Sequence, residues 1–134
     1  MQLQRFNIPT PIKLSLLWTA LMWLYIYNDY FSLYLPGTID SMSAGIIGPL
    51  GEATELILIS VSLILVIPAL LIYLSCALPP VISKWTNVGF GVIYTGLQAL
   101  TFSGSEPFYK MVVIFEILVT LAIVLTAWRW PVED

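Results

Sequence analysis

Apolar residues run along this chain in four long blocks, each closed by glycine or proline signals. The first extends from about Leu14 to Leu35 and ends at "PGT". The second runs from about Glu52 to Leu78 and ends at "LPP", the third from about Trp85 to Phe102 ending at "SGSEP". The fourth runs from about Phe108 to Trp130, where Pro131 stops it. Each block approaches or exceeds the ~20 residues that a helix needs to cross a bilayer. The pattern predicts an all-α fold over residues 1–134: a single membrane domain built as a four-transmembrane-helix bundle, up-down-up-down. The extra length of the second span predicts tilt, and Pro68 predicts a kink near its middle. The first span is too long for a signal-peptide core and lacks a small-residue cleavage site, so it is expected to be retained.

Composition strengthens this picture. Of the 134 residues, 59% are hydrophobic and 10% charged, against about 25% charged in an ordinary soluble domain. A lipid bilayer is the partner this surface calls for. The chain has one cysteine, Cys76, and no histidine. This removes disulfide frameworks, Cys/His zinc sites, histidine-ligated haem and His-based nucleophile triads. Cys76 lies in an apolar run and reads as an inert buried thiol. There is no Lys/Arg cluster, which excludes nucleic acid as a partner. No cofactor is indicated.

The few basic residues set an orientation. Arg5, Lys13, Lys84 and Arg129 fall on one side of the predicted spans and Lys110 on the other. The positive-inside rule then puts both termini in the cytoplasm. Trp18, Trp85, Trp128 and Trp130 read as an aromatic belt on that side, with Tyr30, Tyr34 and Tyr109 at the outer interface. The 36–51 loop is glycine-rich, carries no basic residue, and is apolar enough to lie on the interface or fold back as a lid.

With this orientation, the strongly polar residues of the spans collect in the outer half. At ~1.5 Å of rise per residue, Asp29 lies ~9 Å below the outer end of its helix, Glu55 ~5 Å, Gln98 roughly 6–9 Å and Glu116 ~12 Å. Ionisable residues at such depths normally face a partner, a cavity or a substrate. Helical spacing gives each span one polar stripe: Tyr25, Asp29 and Ser32; Glu52, Glu55 and Ser62; Gly91, Tyr94, Gln98 and Thr101; Tyr109, Glu116 and Thr120. Asn28, beside Asp29, belongs to the same layer. Gly89 and Gly96 are expected to let the third span approach a neighbour closely.

The candidate ligand-binding set is therefore Asp29, Glu55, Gln98, Glu116, Tyr25, Tyr94 and Asn28. Asp29, Glu55 and Glu116 have no basic residue at their depth. Three such carboxylates cannot all stay ionised together in low dielectric, so either one holds a proton or a cation fills the site. The tyrosines would add cation–π contacts to an organic cation. The plainer reading is that Glu52 and Glu55 reach out to water or complement a helix N-terminus, and that Asp29 and Glu116 hydrogen-bond to Gln98 or a tyrosine.

Three function classes follow. The first is a binding module for a small cationic or lipid-like, amphipathic ligand, with proton coupling through the carboxyls. The second is a membrane enzyme using Asp29 and Glu116 as acid and base on a lipid-soluble substrate. The third is a structural subunit, in a homo-oligomer or a larger membrane complex, whose polar residues lock helix register.

The stretches "LLWTALMWLYIYNDYFSL", "IPALLIYLSCALPPVISKWTNVGFG" and "YKMVVIFEILVTLAIVLTAWRW" resemble an uncharacterised family of small bacterial four-helix membrane proteins. The matching positions are Trp18, Asp29, Pro68, Ser75, Trp85, Asn87, Glu116, Trp128 and Trp130, with Lys84 where that pattern carries arginine. The resemblance implies the four-helix topology and a bacterial origin, and no activity; together with the apolar spans this gives an expected location in a bacterial cytoplasmic (inner) membrane. The general shape is also similar to small four-helix proteins of quinone and sulfur metabolism, without the paired cysteines of a vitamin K reductase-like enzyme.

Overall fold

Proline opens three of the four long helices. The computed structural model describes residues 1–133. It has α1 over Thr10–Ser32, a short α2 over Thr38–Ser43, α3 over Glu55–Ala77, α4 over Pro80–Phe102 and α5 over Pro107–Trp128. Helices α1, α4 and α5 carry proline in their first turn, where the missing N–H is no loss and the fixed φ suits the helix. Helix α3 starts instead on a side-chain cap, the Ile57 N–H donating to Thr54 Oγ1 at 3.3 Å. The "LPP" signal therefore does two jobs. The link is only Leu78–Pro79, and Pro80 begins α4 five residues earlier than the apolar run suggested.

The 36–51 loop has more structure than an unbroken all-α fold predicts. Gly37, at φ 84°, turns the chain into α2. An antiparallel pair, β1 (Ile46–Ile47) and β2 (Gly51–Glu52), follows, joined by the 3-10 turn Gly48–Leu50.

Inter-helix bonds fix the directions of the long helices. Ser15 pairs with Ile72 while Cys76 reaches Pro11, so α1 and α3 run oppositely. Tyr94 pairs with Ile64 and Asn87 with Ser75, so α4 returns antiparallel to α3. Thr95 meets Thr120 while Trp85 meets Trp128, so α5 opposes α4. Helix α1 packs along both α3 and α5, and α5 packs along α4. The α3/α4 seam that closes the ring is far sparser.

The apolar core lies toward the end where α1 begins. Leu14, Trp18, Leu21, Leu71, Ile123 and Ala127 are buried together there, with Tyr94 at mid-height. Two expectations are corrected here. Trp18 is fully buried rather than part of a belt, and its Nε1 donates to Asn87 Oδ1 at 2.7 Å. The polar groups are also not confined to one layer. Asn87 Oδ1 accepts a second bond from Ser75 Oγ at 3.1 Å, and its Nδ2 donates to the Ser83 carbonyl at 2.8 Å. This buried node joins α1, α3 and α4 in the opposite half of the molecule from Glu116.

Close approach is also made at a different glycine. Around Gly89 and Gly96 there is open space, whereas a Cβ on Gly91 would stand 2.7 Å from Val124 Cγ2 and 3.5 Å from the Thr120 carbonyl oxygen. Valine is stiff at χ1 in a helix and cannot move aside freely. Gly91→Ala is expected to lower stability by about 1–3 kcal/mol, the usual cost of overpacking. Gly89→Ala should not lower it. Thermal melts of the two variants read the contrast directly.

Pro68 is fully buried inside α3. Lacking an N–H, it leaves the carbonyl of Ile64, four residues earlier, without its helical donor. The Tyr94 hydroxyl supplies that donor from α4 at 2.5 Å. Helices α3 and α5 are long and apolar enough to cross a membrane, with mean hydropathies of 2.8 and 2.5. Helices α1 and α4 are as long but carry the polar residues, among them Asn28, Ser83, Asn87 and Gln98, that turn inward.

Candidate functional site

Beyond the core the four helices enclose a cavity of about 300 Å3. Its wall includes Tyr25, Asn28 and Asp29 from α1, Tyr94 and Gln98 from α4, and Glu116 from α5. Thr101 and Tyr109 join this polar side. Val61, Ile64 and Leu65 of α3 and Leu97 of α4 form an apolar side, and Leu50 of the 3-10 turn completes the wall.

Glu55 is not part of this site. It is exposed in the first turn of α3, Ser62 is exposed further along that helix and Glu52 is exposed on β2, so the polar stripe expected on this span faces outward. No cluster of three or more acidic, cysteine or histidine side chains suited to a metal exists among the described residues. The predicted convergence of three carboxyls is corrected to two. The reason is local: α3 rolls its Pro68–Leu71–Ser75 face onto the core, which leaves Glu55 on the outside. Cys76, expected to be buried, is exposed on the same helix.

The remaining carboxyls differ sharply in setting. Glu116 is 3% exposed, whereas Asp29 is exposed at the cavity margin. Asp29 also lines a neighbouring groove beneath α2 and the loop. The deep position on α1 that the sequence pattern gave to Asp29 is held by Asn28, which is 3% exposed. A helical step of about 100° per residue separates the two, so only one of them can face the interior.

Two hydrogen-bond systems share the cavity and are unequally satisfied. In the first, Gln98 Nε2 donates to the Tyr25 hydroxyl at 2.6 Å and Gln98 Oε1 accepts from the Thr120 hydroxyl at 3.1 Å. Thr120 in turn meets the Thr95 hydroxyl at 2.8 Å. This chain engages both the amide nitrogen and the oxygen of Gln98, and among the described residues neither carboxyl bonds to it. In the second, the only side-chain bond among the described residues is Asn28 Nδ2 donating to Glu116 Oε1 at 3.5 Å. Asn28 Oδ1 is buried and has no partner. A buried polar atom left unpaired costs about 1–3 kcal/mol. The Asn28–Glu116 pair is thus the part of the site with unfilled bonding capacity.

The match to known families extends almost end to end, over residues 3–134. The chain belongs to the family of unknown function DUF6326. The match reaches further toward the N-terminus than the first of the resembling stretches, which begins at Leu16. Neither a curated protein nor a solved structure matches the chain.

The Asn87 node is the cluster that the sequence reading did not assemble. Its signal was present, since Ser83 and Asn87 continue the Gly91–Tyr94–Gln98 stripe of α4 at a spacing of four. All five residues are buried.

Proposed function

We propose that this protein spans a bacterial cytoplasmic membrane four times, with both termini in the cytoplasm, and holds a small cationic or amphipathic ligand in the outer-half cavity. The membrane reading rests on exposure. Only 11% of the most apolar stretch of α3 and 28% of that of α5 is buried, so these are not the core helices of a water-soluble domain. Leucine, isoleucine, valine and phenylalanine side chains stand exposed along every long helix, an apolar surface that only lipid or a partner would cover. At 23 residues, α1, α3 and α4 are about 34 Å long, enough for a hydrocarbon core of about 30 Å.

Orientation rests on charge. Lys13, Lys84 and Arg129 lie at the end of the helices where α1 begins, and Lys84 sits 5.7 Å and 6.0 Å from the Trp85 and Trp128 rings. Lys110 lies at the other end. With Cys76→Ala as background, Ser41→Cys is expected to react with an impermeant thiol reagent in intact cells, and Glu133→Cys is not. Reversed labelling would overturn the orientation.

The binding reading is carried by one observation: Glu116 is buried in a cavity with no basic lining residue, held by a single long bond to Asn28. Such a carboxyl takes either a proton or a cation, which couples occupancy of the site to protonation. Native mass spectrometry of the purified full chain should reveal a retained small molecule, depleted at least about tenfold in Glu116→Gln if one charge-assisted bond is lost. A wild-type protein with no retained species, and a variant identical to it, would remove the support for a ligand site.

A further inference from the structure

We infer, resting on the ligand-binding reading above, that the occupant is a lipid-soluble amine which loads sideways from the bilayer, through the outer half of the α3/α4 seam. The ring of helices closes at this seam, and its stitching is one-sided. Ser83 Oγ donates to the Ser75 carbonyl at 2.9 Å, Ser75 Oγ donates to Asn87 Oδ1 at 3.1 Å, and Tyr94 donates to the Ile64 carbonyl. Outward of Tyr94 no side-chain hydrogen bond crosses from α4 to α3 among the described residues. Helix α3 shows the same asymmetry along its length. From Glu55 to Ile67 it has no buried residue, and burial begins at Pro68. Among the described residues, the outer half of α3 is therefore hydrogen-bonded to α4 only at its inner end, where proline already interrupts the helical ladder.

The cavity is polarised across that seam. Val61, Ile64 and Leu65 of α3 and Leu97 of α4 line it at the seam, where the polar α4 groups Tyr94, Gln98 and Thr101 are engaged in hydrogen bonds within the protein, while Asn28 and Asp29 of α1 and Glu116 of α5 line the far side. A molecule passing between α3 and α4 would meet apolar side chains first and leave its tail among them. Its head would arrive at Asn28 Oδ1, a buried acceptor that lacks a donor, and at Glu116. An ammonium group provides N–H donors for both and the positive charge that the lining lacks. A neutral alcohol provides one donor and no charge, and an anion would be repelled by both carboxyls. Leu50, contributed by the loop, adds a further apolar side chain to the cavity wall.

The test uses the full chain in lipid nanodiscs, empty nanodiscs as blank, and three probes: dodecylamine, ethylammonium and dodecanol. Dodecylamine should bind saturably, and Glu116→Gln should weaken it at least about tenfold, the worth of a charge-assisted bond. Ethylammonium, with the same head and almost no tail, and dodecanol, with the tail and no charge, should each bind at least about tenfold more weakly than dodecylamine. A second measurement addresses the route. In a Cys76→Ala background, Val61→Cys and Leu97→Cys joined by a short bis-maleimide should slow dodecylamine exchange at least about tenfold relative to the same double variant before bridging. Unchanged exchange after bridging overturns the sideways route. Equal, Glu116-dependent binding of ethylammonium overturns the lipid-soluble class while leaving the cationic cavity standing. Equal binding of dodecanol overturns the amine. Uptake of every probe that ignores Glu116→Gln overturns this inference and the ligand-binding reading together.

Discussion

Replacing Asn87 with leucine is expected to lower the unfolding free energy by about 2–4 kcal/mol, the largest stability loss among the substitutions considered. The swap nearly preserves volume, so the effect reports hydrogen bonding rather than a cavity. Asn87 Oδ1 is the partner given to the Trp18 indole N–H, and Trp18 is fully buried. Without the amide that N–H is orphaned in low dielectric, at about 1–3 kcal/mol. The bond to Ser75 and the tie to the Ser83 carbonyl go with it. Interhelical bonds in membranes add about 0.6–2 kcal/mol each. Thermal or denaturant melts in detergent, followed by near-ultraviolet circular dichroism of Trp18, would measure the sum. Adding Trp18→Phe to Asn87→Leu removes both partners of the main bond. The double variant should therefore lose less than the sum of the two single changes. Strict additivity would mean that the node does not act as a unit.

The position of this node explains much of what the sequence could and could not deliver. Apolar runs and prolines located all four long helices, because hydropathy depends on composition over many residues. Their ends were harder. Pro80 could be read as a stop for one helix or the first turn of the next, and only the antiparallel return of α4 onto α3 decides for the second. The strands of the 36–51 loop are two residues long, too short for any alternation to register. Trp18 was read by residue type as an interfacial anchor, and its burial depends on an asparagine 69 positions away. Gly91 already stood on the inward polar stripe of its helix, but only the packing against α5 shows that the close approach is made there and not at Gly89.

The site was legible in outline for a related reason. Tyr25, Tyr94, Gln98 and Glu116 lie on stripes whose inward turn follows from packing apolar surface outward, and the structure brings them to one cavity. Asp29 and Asn28 were both candidates on α1, and charge drew the emphasis to the aspartate. Burial favours the neutral neighbour, since a buried carboxylate on each of two facing helices would have to share one proton or one cation. Glu55 was placed by counting along α3, and the face that a helix presents is set by its tightest contact. For α3 that contact is the Pro68–Leu71–Ser75 face in its other half. For Glu55 and Asp29, position along the helix was readable from the sequence, and azimuth was not.

The second large effect concerns the bond between Tyr94 and the helix that Pro68 interrupts. Tyr94→Phe is expected to destabilise the protein by about 1–2 kcal/mol, the upper range for an interhelical bond in a membrane, because it leaves the Ile64 carbonyl with no donor. The cause can be isolated with a partner substitution. Pro68→Ala restores a backbone N–H four residues after Ile64, in position to accept the role that the tyrosine now fills. In that background Tyr94→Phe should cost at most about 0.5 kcal/mol, because the carbonyl is already satisfied. Pro68→Ala on its own loses packing of a fully buried ring and gains a helical bond, so the single variant is uninformative, and the cycle of four proteins carries the test. Reversible unfolding in mixed micelles would give the coupling energy. A coupling near zero would mean that the hydroxyl does not act through the free carbonyl. A coupling of about 1 kcal/mol or more would identify the Tyr94–Ile64 bond as the tie that holds the N-terminal half of α3 against α4, where the cavity meets the seam.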